Sequence, residues 1–245
     1  MLTEPFLTTR SENDRDIPLL YWRAEHPVQV ISSGPLGGGI GLRNWLVNAT
    51  VPMSYHRDDP DAHLVELADR LGLTGPGVGL LTGVDVAEVV RRVDTDVRVW
   101  ATVGLGTPIR AAEPPLDVEV PGPPPGGEPA AGPARAAGAP NGVTPERVGT
   151  VNIVAFVPAR LGDAALVNAV ATVTEAKAQA LADLGLDATG TPTDSVTVCC
   201  PADGPVAAYG GPRSRWGAPL ARAVHAAVLA GGAGPVVPWS EQPDR

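Results

Sequence analysis

The sequence predicts an α/β or α+β fold: a layered sandwich of mixed β-sheet with packed helices, interrupted by a Pro/Gly-rich flexible insertion. Short apolar runs of strand length alternate with longer stretches of helical periodicity, the pattern of a sheet covered by helices. The chain has 245 residues, 44% of them hydrophobic, enough for one large core or two small ones. Over 111–147 the periodicity gives way to proline, glycine and alanine, as in PPLDVEVPGPPPGGEPAAGPARAAGAPNG. Such a stretch cannot bury enough apolar surface to offset its ordering entropy, so it reads as a mobile insertion or linker. The resulting division is a loose segment 1–20, a first structured half 21–110, the insertion 111–147, a second half 148–234 and a loose tail 235–245.

In the first half, Val28, Val30 and Ile31 mark a strand over 28–32, followed by a glycine-rich turn at Gly37, Gly38 and Gly39. A second strand is expected over 44–51. Asp61 has the position of an N-cap for a helix ending at 71. The apolar run 78–82 suits a buried strand, 85–92 reads as a helix and 97–103 as another strand. The second half repeats that rhythm with a strand over 150–157, a long helix over 163–184 and a strand over 195–200. A last helix covers 218–229 and stops at Gly231 and Gly232. The pattern alone leaves open whether the two halves share one sheet.

A net charge of -9 argues against binding to nucleic acid, whose affinity for proteins comes from clustered Lys and Arg, and against an anionic membrane surface. The opening MLTEPFLTTRSENDRD carries charges where a signal peptide has its apolar region, and no apolar run is long enough to span a bilayer. Cys199 and Cys200 are adjacent, a spacing that disfavours a mutual bridge and supplies no second ligand pair for zinc. These features predict a cytoplasmic protein with no metal site of its own.

Lys177 is the one lysine in the chain; the other 17 basic residues are arginine. That bias suggests a position that needs an ammonium, a compact donor whose pKa can be tuned. At roughly 100° per residue, Leu166, Val170, Val173, Ala180, Leu181 and Leu184 form an apolar stripe with Lys177 near its middle. Asn168, Thr172, Glu175 and Gln179 fall on the opposite face. A lysine on a buried face is costly unless it is paired or reaches a polar cavity. Three roles fit: snorkelling past small alanines, a buried structural ion pair, or an active-site group that orients a nucleophile or stabilises negative charge.

Around this lysine the chain carries Gly149-Thr150-Val151-Asn152-Ile153, Asn168-Ala169, Thr174-Glu175-Ala176-Lys177 and Thr189-Gly190-Thr191-Pro192-Thr193-Asp194-Ser195. In this order and spacing the blocks resemble the adenosylcobinamide amidohydrolase family. Looser agreement runs through Ser32-Ser33, Gly38-Gly39, Asn44, Val51, Tyr55, Leu81-Thr82 and Thr102-Val103-Gly104. The resemblance covers most of the chain outside the termini and the insertion. It implies hydrolysis of the amide joining the aminopropanol arm to the corrin ring of adenosylcobinamide. The products would be adenosylcobyric acid and aminopropanol, in corrinoid (vitamin B12) salvage. It further implies a small-molecule corrinoid as partner, leaves room for a homo-oligomer, and calls for no cofactor of the protein's own, since the cobalt belongs to the substrate. Candidate substrate-binding residues on the matching blocks are Ser33, Gly38, Gly39, Asn44, Asn152, Asn168, Glu175, Thr191 and Thr193.

Hydrolysing an amide takes an activated nucleophile, a proton donor for the departing amine and donors for the oxyanion. A zinc-bound water would need three protein ligands and an open position. His26, His56, His63 and His225 show neither HExxH nor any other ligand spacing and read as surface or packing residues. The nucleophile elbow GxSxG is also missing. The catalytic candidates are therefore Thr150 or Ser195 as nucleophile and Lys177 or Asp194 for proton transfer, with backbone N–H groups of the turn before Ser195 for the oxyanion. Ordinary strand and turn chemistry would also account for Thr150 and Ser195. By helical angle Glu175 points away from Lys177, as a solvated glutamate or, with Asn168, as part of a cleft wall. The run GGGIG lacks the GxGxxG spacing and following helix of a dinucleotide site. Two other functions fit the same residues. One is a non-catalytic corrinoid-binding protein; the other is an amidohydrolase of another amide, such as a peptide, or of a complete cobamide.

Overall fold

The computed structural model describes residues 2–12, 14–113, 149–235, 237 and 239–241. From residue 114 onward, the insertion expected over 111–147 lies outside the described residues.

Two units of the same plan build the sheet. In the first, β2 (Arg15–Ser32) and β3 (Gly39–Thr50) pair antiparallel, α1 (Pro60–Arg70) crosses over, and β4 (Gly77–Thr82) returns parallel to β3. In the second, β6 (Val97–Leu105) and β7 (Gly149–Phe156) pair antiparallel, α2 (Asp163–Asp183) crosses over, and β8 (Ser195–Pro201) returns parallel to β7. A parallel neighbour needs a long crossover, which each helix supplies. β1 (Phe6–Glu12) and β5 (Val90–Asp94) are hairpin partners of β2 and β6. The units join where the end of β2 pairs antiparallel with β8. Among the described residues this gives one mixed sheet of order β4-β3-β2-β8-β7-β6-β5, with β1 beside β2, in an α+β fold completed by α3 (Gly217–Gly231). The two halves of the sequence thus share one sheet, and β6, from before the insertion, pairs directly with β7, from after it.

Alternation along each strand decides which layer a side chain joins. Val151, Ile153 and Ala155 of β7 pack beneath α2 and α3 with Val196, Val198 and Cys200 of β8. Trp45, Val47 and Ala49 of β3 pack beneath α1. The remaining faces turn toward each other, so that Trp22, Val30 and Leu46 of one wing meet Trp100, Val154 and Phe156 of the other. Trp22 and Trp100 meet edge to face, with ring centroids 5.9 Å apart. The register of β2 against β3 shifts between Arg23 and Val28. An irregularity of this kind bends a strand and increases its twist, which lets the wings close on a shared apolar layer.

Several local expectations change. The segment 1–20, expected to be loose, contributes β1 and the first part of β2, and Leu2 is 1% exposed in the layer between the wings. Its charges mislead because they are paired: Arg10 is buried and donates to Thr50 O at 2.7 Å and to Glu12 Oε1 at 2.9 Å. The helix expected over 85–92 is a single 3₁₀ turn, Val86–Glu88, capped by Asp85 and followed by β5. The β-branched Val89, Val90 and Val93 favour a strand there. Thr95 and Asp96, with φ of 46° and 66°, form the two-residue turn that closes it onto β6. Helix α1 starts at Pro60, a residue suited to the first helical position, with Asp59 rather than Asp61 before it. Asp59 makes no side-chain cap bond; Arg57 holds both its oxygens at 2.8 Å. In the tail expected to be loose, the Trp239 N–H donates to Gly83 O at 3.1 Å and Arg15 lies over the indole. Among the described residues no helix is long and apolar enough to cross a membrane.

Candidate active site

The end of the sheet where β7 and β8 begin carries polar groups on both faces. On the face covered by α2, Lys177 and Asp194 form an ion pair with side chains 8% and 11% exposed. Asp194 Oδ2 also accepts the Thr191 N–H at 3.0 Å. Its Oδ1 accepts the Val151 N–H at 2.9 Å and the Thr191 hydroxyl. A carboxylate offers about four acceptor positions, and here four donors use them. Asp194 is thereby fixed to α2, to its own loop and to β7. Lys177 is the freer member: of its three N–H donors, one is engaged by Asp194. Gly190 lets the loop close on the pair. A Cβ there would stand 2.6 Å from Lys177 Nζ and 2.5 Å from Asp194 Oδ2. A cleft of about 410 Å³ opens beside the pair, walled by Ile109, Thr174, Glu175, Thr189 and Pro192.

On the other face the candidate nucleophiles meet only hydroxyls. Thr193 Oγ1 donates to Gly149 O at 3.0 Å, so in its 2.5 Å contact with Thr150 Oγ1 it is Thr150 that donates. Ser195 Oγ lies 3.1 Å from Ser33 Oγ, which accepts the Val196 N–H at 3.0 Å. Asn152 stands in register with Ser195 on the neighbouring strand. Its Nδ2 donates to Asn48 Oδ1 and to Leu81 O, both at 2.9 Å, and Asn48 Nδ2 donates to Thr102 Oγ1 at 3.2 Å. These bonds tie β7 of one wing to β3 and β4 of the other. Ser32 Oγ and Thr197 Oγ1, 2.7 Å apart, extend the polar lining.

The structure therefore gathers Thr150, Asn152, Lys177, Thr191, Thr193, Asp194, Ser195 and Ser33 at one end of the sheet. Glu175 is exposed at the edge of the cleft. Two regions stay apart: Asn168 is exposed on α2 against Gly211, and Asn44 lies against Gly75. Gly38 and Gly39 are exposed where β3 begins, with Gly39 paired to Ser32 beside Ser33. Thr172, expected on the polar face of the helix, is buried, with its hydroxyl donating to Gly210 O at 2.9 Å. Sequence reading missed Asn48, Thr197 and the close fit of Gly190, and gave Ser32 and Thr102, which lie on matching blocks, no place in the site. A signal existed: Asn48 and Thr50 alternate with Val47 and Ala49, as Thr150 and Asn152 alternate with Val151 and Ile153. Alternation normally marks a solvated face, but here Asn48, Thr50, Thr150 and Asn152 are all buried.

The histidines lie elsewhere. His26 and His56 are exposed, and His225 Nε2 pairs with Asp183 at 2.7 Å. His63 is buried between Tyr55 Oη at 3.1 Å and Glu12 Oε1 at 3.4 Å. Burial lowers its pKa, against the opposing pull of Glu12. Cys199 and Cys200 are buried free thiols whose pKa burial raises, and Cys200 Sγ accepts the Leu161 N–H at 3.3 Å. Among the described residues no three His, Cys, Asp or Glu side chains gather as metal ligands would.

The chain is 26% identical over 214 residues to an adenosylcobinamide amidohydrolase of Methanosarcina mazei, covering 83% of this chain and 89% of that protein. It is 37% identical over 95 residues to an uncharacterized protein of Methanocaldococcus jannaschii, covering 36% of this chain and 37% of the other. A model of the adenosylcobinamide amidohydrolase family matches residues 4–234, a span that includes β1, both units of the sheet and every residue of the cluster. The chain belongs to the adenosylcobinamide amidohydrolase family, enzymes that hydrolyse an amide bond.

Proposed function

We propose that the chain hydrolyses the amide between the aminopropanol arm and the corrin ring of adenosylcobinamide, giving adenosylcobyric acid and aminopropanol in corrinoid salvage. The observation that carries this reading is that the Lys177–Asp194 pair and the hydroxyls of Thr150, Thr193 and Ser195 lie on the two faces of one end of the sheet, in a chain matched to the family over 4–234. Cobalt enters as part of the substrate, and the protein needs no cofactor of its own. The two unpaired cysteines support a cytoplasmic location for the enzyme.

In the reaction, Thr150 Oγ1 or Ser195 Oγ attacks the amide carbon and forms a C–O bond while the carbonyl oxygen takes the charge. The hydroxyl gives up its proton, which Lys177 or Asp194 helps pass to the nitrogen. The C–N bond then breaks as the nitrogen gains a proton and leaves as aminopropanol. Water cleaves the resulting ester, releases the acid and restores the hydroxyl. Lys177 serves the oxyanion or the departing amine, because it is a buried cation held in place by Asp194 with N–H donors to spare. Ser33, Asn152, Glu175, Thr191 and Thr193 are the groups nearest to hold the arm.

The test is incubation with adenosylcobinamide and mass spectrometry for adenosylcobyric acid. Folded protein that yields no product overturns the reading. Release of an acid from a complete cobamide or a simple amide alone would assign another substrate. Tight binding without aminopropanol release would make the chain a corrinoid-binding protein.

A further inference from the structure

Asn152 is held in a way that a core residue does not require. Both hydrogens of its Nδ2 are committed, to Asn48 Oδ1 and Leu81 O, so its amide cannot turn over without losing two bonds. Asn48 is oriented in turn by Thr102 Oγ1. Among the described residues, Asn152 Oδ1 is a buried acceptor with no donor. Buried acceptors of this kind are rare, since they lose water and gain nothing in its place. A leucine would pack the same space without that cost.

The position of the acceptor says what it could take. Asn152 lies one pleat, roughly 7 Å, along β7 from Thr150 on the same strand face, and in register with Ser195 on β8. It neighbours both candidate nucleophiles, and on the rim side of it are Thr150 and the exposed Thr193. An uncharged acceptor takes an N–H or O–H donor. The bond to be cleaved belongs to a secondary amide, which has one N–H.

We propose that Asn152 Oδ1 accepts the N–H of the scissile amide, and that Asn48, held by Thr102, is the positioning residue that keeps this oxygen turned toward the substrate. The inference rests on the reaction given under Proposed function. The arm reaches Asn152 when the Thr150–Thr193 hydroxyl contact parts. Gripping the nitrogen orients the planar amide with respect to Thr150 and Ser195. The contact survives the reaction, because the departing amine still carries an N–H. The site therefore selects amides over esters.

The experiment compares adenosylcobinamide with its ester analogue, in which oxygen replaces the scissile N–H, using the full chain. Asn48→Leu frees the Asn152 amide to rotate, and the ratio of amide to ester kcat/KM is expected to fall roughly ten- to a hundredfold. Asn48→Asp retains an acceptor for Asn152 Nδ2 and is expected to restore most of that ratio. An unchanged ratio in a cooperatively melting Asn48→Leu protein overturns the inference, as does an equal loss on both substrates. If Asn48→Leu does not melt cooperatively, Thr102→Val carries the same test, with the same ratio deciding. Failure of the wild-type chain to hydrolyse adenosylcobinamide overturns the functional reading and this inference together; it is told apart because it precedes any substitution.

Discussion

Lys177 and Asp194 show why a residue's partner matters more than its type. The bias toward arginine and the position of Lys177 on an apolar stripe marked it as unusual, and its burial follows from that stripe. That Asp194 is its partner, and that four donors saturate this carboxylate, follows from the return of the loop to β8. Lys177→Met is expected to lower kcat on adenosylcobinamide by roughly 10²–10⁴-fold, the range of a lost acid–base or charge-stabilising group. It also leaves Asp194 buried without its cation, so chemical denaturation should report a loss of about 3–5 kcal/mol. An active Lys177→Met protein would reduce the pair to a structural brace. Gly190→Ala tests the fit of the loop. With a methyl 2.5 to 2.6 Å from both charged groups, one or both must shift, and both turnover and melting temperature are expected to fall.

At the scale of elements, the buried contacts of β1 and α2 carry measurable stability. The docking of β1 against α1 passes through Glu12 and His63. Burial holds the His63 pKa below its usual 6.5, so the folded protein favours the neutral ring. As pH falls, the unfolded chain takes up this proton first. Stability from the site is therefore full above about 6.5 and is lost as pH falls through the folded value. For Glu12, burial acts to raise the pKa, but the hydrogen bond and charge of Arg10 outweigh it and leave it lowered, so its contribution is lost only at more acid pH. A melting temperature that declines between about pH 7.5 and 5.5 is expected, and His63→Gln should flatten that decline. Equal slopes in the two proteins would contradict this. In α2, Leu166 is fully buried under the sheet, and Leu166→Ala is expected to cost about 2–5 kcal/mol in urea unfolding, from lost apolar burial together with the cavity left behind.

For the whole molecule, the sheet order forbids a division into two folding halves. β6 precedes the insertion but pairs with β7 after it, and β2 pairs with β8. A fragment of residues 1–110 would leave the inner edges of β2 and β6 unpaired and would strip Val154, Phe156 and Cys199 from the layer around Trp22 and Trp100. Separate fragments 1–110 and 148–234 are therefore expected to show no cooperative thermal transition by circular dichroism, whereas the intact chain melts in a single one. Two independent transitions in the intact chain would contradict the shared sheet.

By itself the sequence determined the elements with strong periodicity: the strands near 78–82 and 97–103, the long helix holding Lys177, the strand that begins at Ser195, and the family blocks around them. Local hydrophobic pattern suffices there, because one face of each element is plainly apolar. Only the tertiary structure decided that the charged N-terminus is a paired strand, that Val90–Asp94 is strand rather than helix, and that Asn48 meets Asn152. The physical reason is that alternation tells which residues share a face, but not what that face will meet. Alternation by itself gives no sign that Asn48, Thr102 and Asn152 face one another; the closing of one wing of the sheet onto the other encloses them.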